Sequence, residues 1–267
     1  MSTQKYRQKI AQQVAKALVT GSRSTASQND AAHLRNAVAN KKAAAKTRAV
    51  ALGRLMRMEG PDVSPDTALD RLADPKESPV VRLAALRLLQ HKQIFSSIAA
   101  DWRPAYVEAL RTALDEPKLR TLALEILSAL KDRKTQEVLL NGIRKPKQAL
   151  VPVDRALRLL SSDVHSDVLE VARRLASDQQ SRKNKPVFMQ ALRILASDPS
   201  SVKRLEAVLA NDSHSIDARR LAATALNQLS PESLKSTRAR KVPAARAGAT
   251  RKDALSRHIE TLLSIRR

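Results

Sequence analysis

"DPKESPVVRLAALRLLQ", residues 74–90, contains a helix break, a helix start and one apolar stripe. Asp74-Pro75 interrupts the pattern before it, and Ser78-Pro79 is typical of a helix start because proline is tolerated in the first helical turn. Apolar residues then recur at helical spacing. The stretch predicts a helix with one buried face, and the rest of the chain decides whether it is one copy of a repeat.

Five other eight-residue segments align with residues 82–89 of this stretch. The six starts lie 34, 38, 33, 35 and 31 residues apart, and every segment has Ala at its fourth position and Leu at its eighth. These two positions share one helix face, where the small Ala lets another helix approach closely. The segments are RAVALGRL (48–55), RLAALRLL (82–89), RTLALEIL (120–127), VDRALRLL (153–160), FMQALRIL (188–195) and RRLAATAL (219–226).

A shorter segment with apolar residues at helical spacing precedes each copy. These segments are AAHLRNAVAN (31–40), DTALDRLAD (66–74), AYVEALRTALDE (105–116), TQEVLLNGI (135–143), SDVLEVARRLAS (166–177) and SVKRLEAVLAN (201–211). Breakers such as Asp198-Pro199 separate the units. The repeating unit is therefore two helices and a short turn. Since neither helix can bury its stripe alone, the units must stack.

In this unit the chain resembles the HEAT-repeat family over about residues 31–230. Two copies depart from the family pattern, because Asp154 stands where Arg is expected and Phe188-Met189 replaces Val-Arg. The resemblance implies an all-α fold, a right-handed α-solenoid of about six HEAT-like helical hairpins with extra terminal helices. The closest copy carries the family pattern at Leu72, Asp74, Pro75, Val81, Arg82, Ala85 and Leu89.

The resemblance also implies a structural role for the arginines of the first motif column. In HEAT repeats this arginine pairs with an aspartate and forms a ladder between units. The arginines are Arg48, Arg82, Arg120 and Arg219, and the expected partners are Asp74 and Asp212.

The two ends differ from the repeats. Residues 1–30 read as a basic amphipathic helix and linker, and residues 31–230 as the solenoid. Residues 231–252 read as a basic flexible tether, because their Lys and Arg residues follow no apolar period. Residues 253–267 read as a C-terminal amphipathic helix, which either caps the last unit or contacts a partner.

The net charge of +23, from 49 Lys and Arg against 26 Asp and Glu, attracts polyanions. Cysteine is absent, which fits a reducing compartment, so we expect a cytoplasmic protein. We expect no transmembrane segment, since no apolar run reaches the ~20 residues of a membrane span. Residues 1–29 contain no acid, which is also seen in organelle transit peptides.

Three groups of cations are candidate partner-binding residues. Turn cations of successive hairpins would lie along one edge of a solenoid and could follow a phosphate backbone, although solvated turns are the plain alternative. A second group shares the sixth motif column, and a third lies in the tether. The turn cations are Lys41, Lys42, Lys46, Lys76, Lys118, Lys145, Lys147, Arg182, Lys183 and Lys185. The sixth-column arginines are Arg87, Arg158 and Arg193, and the tether cations are Arg238, Arg240 and Lys241.

No catalytic motif, phosphate-binding loop or metal-ligand spacing of the five histidines occurs, so we expect no enzyme, no cofactor and no metal. Some HEAT-like proteins are DNA glycosylases. The only comparable aromatic segment here is ADWRPAY, with Asp101, Trp102 and Tyr106, which favours a packed corner.

The sequence therefore predicts a non-enzymatic scaffold or adaptor for a polyanion, most simply a nucleic-acid backbone bound without sequence specificity. The alternative is a subunit of a larger assembly that binds an acidic protein. A membrane-surface role and a glycosylase rank below these two. No small-molecule substrate is expected, and the oligomeric state stays open.

Overall fold

In a computed structural model of the protein, the described residues are 29–58, 65–95, 102–241 and 251–264. Helices and turns make up these ranges, and no strand occurs within them. The all-α prediction is therefore confirmed. The chain divides into two units, Met1–Leu127 and Ser128–Arg267. The predicted helix of residues 1–30 lies, except for its last two residues, outside the described ranges.

Unit 1 contains three helix pairs at the predicted positions. A 3-10 turn, Ala113–Asp115, extends the first helix of the third pair. The pairs are α1 (29–39) with α2 (Ala45–Arg57), α3 (Asp66–Ala73) with α4 (Pro79–Phe95), and α5 (Arg103–Thr112) with α6 (Pro117–Ala129), whose last two residues belong to unit 2.

Unit 2 continues the same alternation. Its helices are α7 (Arg133–Arg144), α8 (Val153–Leu160), α9 (Ser166–Ser177), the short α10 (Gln179–Lys183), α11 (Lys185–Leu195), α12 (Val202–Ala210), α13 (Ile216–Leu229), α14 (Pro231–Lys241) and α15 (Arg251–Ser264). Side chains cap several helix starts, as Asp132 does by accepting a 3.0 Å hydrogen bond from the Thr135 amide. None of the helices in the described ranges has the length and hydropathy needed to cross a membrane.

The two repeat columns form the core. Every column alanine, from Ala51 to Ala222, is at most 4% exposed, and every column leucine, from Leu55 to Leu226, at most 2%. Close packing explains the pattern, since a small residue lets the neighbouring helix approach and the leucine fills the space one turn on. The columns predicted from the sequence are thus the buried faces of α2, α4, α6, α8, α11 and α13.

Within each unit, first helices pack on first helices and second helices on second helices. In unit 1, α2 contacts α4, and α3 contacts α5. In unit 2, α7 contacts α9, α12 contacts α14, and the second helices follow the order α8, α11, α13 and α15. Each helix pair therefore packs on the next one along the chain.

Side-chain hydrogen bonds between neighbouring pairs recur at about one repeat length. Arg173 reaches Asp198, 25 residues on. Thr224 bonds His258, 34 residues on. Such regular, near-neighbour contacts are what stacked helical repeats require.

The predicted flexible tether of residues 231–252 is wrong for residues 231–241, which form α14. Leu234 and Thr237 are buried there, and the helix packs against α12 and α13. This packing holds a helix that has almost no apolar face of its own. Residues 242–250 lie outside the described ranges.

Helices α14 and α15 form a seventh pair rather than a tether and a lone cap. Leu255 and Ile259 are buried, and they occupy the fourth and eighth positions of a segment that starts at Lys252, 33 residues after Arg219. The sequence analysis missed this copy because Leu replaces the column Ala and Ile replaces the column Leu.

Tyr106 on α5 is fully buried, and its hydroxyl has no hydrogen-bond partner among the described residues. Burial raises the pKa of the phenol. We expect Tyr106→Phe to leave the free energy of unfolding unchanged or to raise it by up to about 1 kcal/mol, because an unsatisfied buried hydroxyl is removed. Urea denaturation checks this. A loss above about 1 kcal/mol would mean that the hydroxyl has a partner.

Candidate polyanion-binding surface

The turns of neighbouring hairpins lie side by side where the structure gives contacts between them. In unit 1, Lys41 Nζ lies 2.8 Å from Asp74 Oδ2 in the next turn. In unit 2, Lys185 Nζ lies 2.8 Å from Asp217 Oδ2 at the start of α13. These pairs bring adjacent turns to one edge, but they also neutralise two of the predicted turn cations.

The pKa of the paired carboxylate in unit 1, that of Asp74, is shifted by its lysine partner. The hydrogen bond from Lys41, then the one from the Lys76 amide, holds the pKa of Asp74 below its usual value. Asp74 is thus the partner of Lys41, and it makes no ladder with a column arginine.

In unit 2 the first turn of α11 meets the turn before α13. The rings of Phe188 and His214 stack with centroids 5.0 Å apart. Burial, then the positive charges of Arg182 and Arg219, lowers the pKa of His214. A positive field therefore acts on this edge.

The other turn cations are exposed and form no ion pair with another described residue. Their charge is available to a partner, and Lys183 and Lys147 are examples from adjacent hairpins. The set is Lys42, Lys46, Lys76, Lys118, Lys145, Lys147, Arg182 and Lys183.

The densest cationic segment is the exposed loop 144–148, which ends α7. It contains Arg144, Lys145 and Lys147, and no acid occurs anywhere in residues 138–153. None of the three cations forms an ion pair with another described residue. We call residues 144–148 the basic loop. The sequence analysis missed Arg144, although the acid-free run around it was a usable signal.

Gly142 fixes the position of the basic loop. A Cβ placed on Gly142 would lie 3.0 Å from the Cα of Ala149, so the chain returning from the loop packs directly on the α7 backbone. The Lys145 amide donates a 2.7 Å hydrogen bond to the Asn141 carbonyl and closes the end of the helix. The backbone that carries the three cations is thus anchored by these contacts.

The arginines of the sixth motif column are exposed and pair with no described acid. They are Arg87 on α4, Arg158 on α8 and Arg193 on α11. In particular, Arg158 forms no pair with Asp154. In α14, Arg238 lies 2.5 Å from Glu260 Oε1, so it joins α14 to α15. Arg240 and Lys241 lie in the last turn of the same helix.

The first-column arginines hold single hairpins together. Arg82, Arg120 and Arg219 donate from Nε to the carbonyls of Leu72, Leu114 and Leu209, at 3.1, 2.7 and 2.8 Å. Each carbonyl lies at the end of the preceding helix or its 3-10 extension, where carbonyls lack intrahelical partners. Asp212 does pair with Arg219, at 2.5 Å, but within one hairpin. In these three hairpins the expected ladder between neighbouring repeats is therefore replaced by a clamp inside the hairpin.

Arg48 departs from this clamp and does not pair with Asp74. Its Nη1 donates to Glu77 in the turn of the next hairpin, and Arg71 Nη1 lies 3.6 Å from the same carboxylate oxygen. The Glu77 side chain is 3% exposed, so a buried charge cluster joins the first two hairpins.

The aromatic corner of the sequence analysis lies at the start of α5. Trp102 and Tyr106 meet edge to face at 6.0 Å, and Tyr106 is fully buried. Asp101 lies outside the described residues. No group of three metal-ligating side chains occurs in the part of the chain that the structure describes.

Comparison with protein-family models, with curated proteins and with solved structures found no match to this chain.

Proposed function

We propose that the protein is a non-enzymatic, HEAT-like helical scaffold that binds a nucleic-acid backbone through exposed cations. The observation that carries the proposal is the basic loop, where three exposed cations have no acidic partner among the described residues and the backbone of Gly142 packs against Ala149. A loop whose backbone is already ordered binds a phosphate chain better than a mobile loop, because less backbone freedom is lost on binding.

The packing order supports an α-solenoid. Within each unit every helix pair contacts its successor, and hydrogen bonds recur at separations of 25 to 34 residues. A scaffold of this kind presents successive turns along one edge. The HEAT resemblance of the closest copy, residues 68–89, agrees with this order.

Acidic side chains at the turns are already paired with lysines of neighbouring hairpins, and this explains why the remaining surface is basic. Acids at turn edges pair with cations of the neighbouring hairpin, as Asp74 does with Lys41 and Asp217 with Lys185. The remaining excess of +23 is carried by residues such as those of the basic loop. Aromatic residues make up only 2% of the chain, so backbone contact rather than base stacking is the mode of binding we propose.

Binding of this kind depends steeply on salt, because each phosphate that is neutralised releases counterions. The slope of log K against log salt is expected to fall by about 0.9 for each contact removed. We therefore expect changing Arg144, Lys145 and Lys147 together to Gln to flatten the slope by about 3 and to weaken binding at least about tenfold.

The measurement is fluorescence anisotropy of labelled duplex DNA and RNA across a salt series. The matched control changes Lys131, Arg133 and Lys134 to Gln, which removes the same charge at the other end of α7. Lys131 and Arg133 already lie 3.9 and 3.7 Å from Asp163 and Glu137, so we expect a slope change below about 1. Equal effects of both triple variants would remove the basic loop from the proposal. No binding by the unchanged protein at low salt would sink it and leave an acidic protein as the partner.

A further inference from the structure

We infer that the exposed face of α2 is a second contact for the phosphodiester backbone, formed by Lys46, Arg54 and Arg57 around Gly53. The inference rests on the proposed function, since it names a further surface for the same class of partner. Gly53, Arg54 and Arg57 belong neither to the basic loop nor to the predicted turn cations, and Lys46, which was predicted with the turn cations, lies in the first turn of α2.

The charge of α2 is one-sided. Its sequence, AKTRAVALGRLMR, contains four cations and no acid. Arg48 is buried with Ala51, Leu52 and Leu55 on the inner face. Lys46, Arg54 and Arg57 are exposed and pair with no acid among the described residues.

The exposed face is continuous. Positions 46, 50, 53 and 57 follow the i, i+4, i+7, i+11 spacing, so they lie in one line along the helix. Val50, in this line, is 50% exposed. The line therefore has a cation at each end, with Val50 and Gly53 between them.

Gly53 is the residue that packing within the protein does not explain. It lies in the interior of a 13-residue helix, where Gly is less stable than Ala. A Cβ added to it would meet no described residue within 4 Å. No neighbour in the described part of the fold requires the missing side chain, whereas a partner's backbone that approaches the helix would.

Charge complementarity selects the partner. A phosphodiester chain carries regularly spaced negative charge and can lie in the gap beside Gly53 while the three cations contact its phosphates. Residues 1–28 contain five cations and no acid, so like charge opposes their covering this face.

Gly53→Ala separates this inference from a folding effect, because its two readouts move in opposite directions. We expect the melting temperature of the full chain to rise by about 2 °C. We expect the affinity for a labelled 20-base-pair duplex to fall at least about threefold, because the methyl group occupies the gap that the backbone enters. An affinity loss in a more stable protein cannot come from unfolding.

Arg54→Gln and Arg57→Gln give the electrostatic readout. Each is expected to flatten the salt slope by about 1, whereas Arg174→Gln, at an exposed arginine of α9, is expected to leave it unchanged. If Gly53→Ala raises the melting temperature without changing affinity, and the two arginine variants keep the full slope, the inference is wrong while duplex binding by the unchanged protein still supports the proposed function. If the unchanged protein does not bind duplex, both fail.

Discussion

Replacing Glu77 by alanine is expected to lower the free energy of unfolding by about 3–5 kcal/mol. Glu77 Oε2 accepts a hydrogen bond from Arg48 and lies 3.6 Å from Arg71 Nη1, and the side chains of these arginines are 9% and 12% exposed. Without the carboxylate, two largely buried guanidinium groups lose the acceptor between them and repel each other. Urea denaturation at pH 7 measures the loss.

Two variants test the cause of this loss. Glu77→Gln keeps the shape and one acceptor but removes the charge, so its loss is expected to be smaller. Glu108→Ala is the matched surface control, because Glu108 is 66% exposed and its 2.8 Å pair with Arg111 should contribute only about 0.3–0.5 kcal/mol. A loss below about 1 kcal/mol for Glu77→Ala would contradict the role of the cluster in joining the first two hairpins.

Replacing Asp198 by asparagine is expected to cost about 2 kcal/mol at neutral pH and to remove a pH dependence of stability. Asp198 is 7% exposed in the turn before α12. It accepts hydrogen bonds from Ser201 Oγ at 2.5 Å, from Arg173 Nη2 at 2.8 Å and from Ser200 Oγ at 2.9 Å. Burial alone would raise its pKa, but these donors outweigh burial and lower the pKa to about 2.

The sign of the pH dependence follows from that shift. The folded protein holds the charged carboxylate more tightly than the unfolded chain does. The stabilisation is therefore complete above the unfolded pKa of about 4 and is lost as the pH falls towards 2. The difference in free energy of unfolding between the unchanged protein and Asp198→Asn should narrow over this window. Asp167→Asn, at an exposed carboxylate of α9, should cost less than about 1 kcal/mol. A constant difference from pH 6 to pH 2 would overturn this role of Asp198.

Most helices could be predicted because their signal is local. Ala85 and Leu89 lie one turn apart on one face, and breakers such as Asp74-Pro75 mark the end of a helix within a few residues. The same reasoning failed for α14, since its sequence has no apolar period and its helix depends on the burial of Leu234 and Thr237 against other helices. It also missed the seventh helix pair, where Leu255 and Ile259 replace the usual column residues.

For the candidate surface, the sequence predicted which segments are basic but not which of their cations are free to bind a partner. The sequence identified the basic turns, but it could not say that Lys41 and Lys185 are paired with acids about one repeat further on. It gave Arg48 a structural role, but it did not identify Arg54 and Arg57 on the same helix as exposed cations. Pairing and exposure depend on which hairpins meet in space.

The sequence by itself determined the all-α class, the helix positions and the buried Ala and Leu columns, because helical periodicity is a property of neighbouring residues. Only the tertiary structure decided the partner of Arg48, the clamps of Arg82 and Arg219 within their own hairpins, and the open space beside Gly53. Such contacts depend on how the two helices of a hairpin pack across their turn and on how neighbouring hairpins pack. A small shift of one helix changes which side chains meet, and the spacing of the sequence pattern does not fix the distance between them.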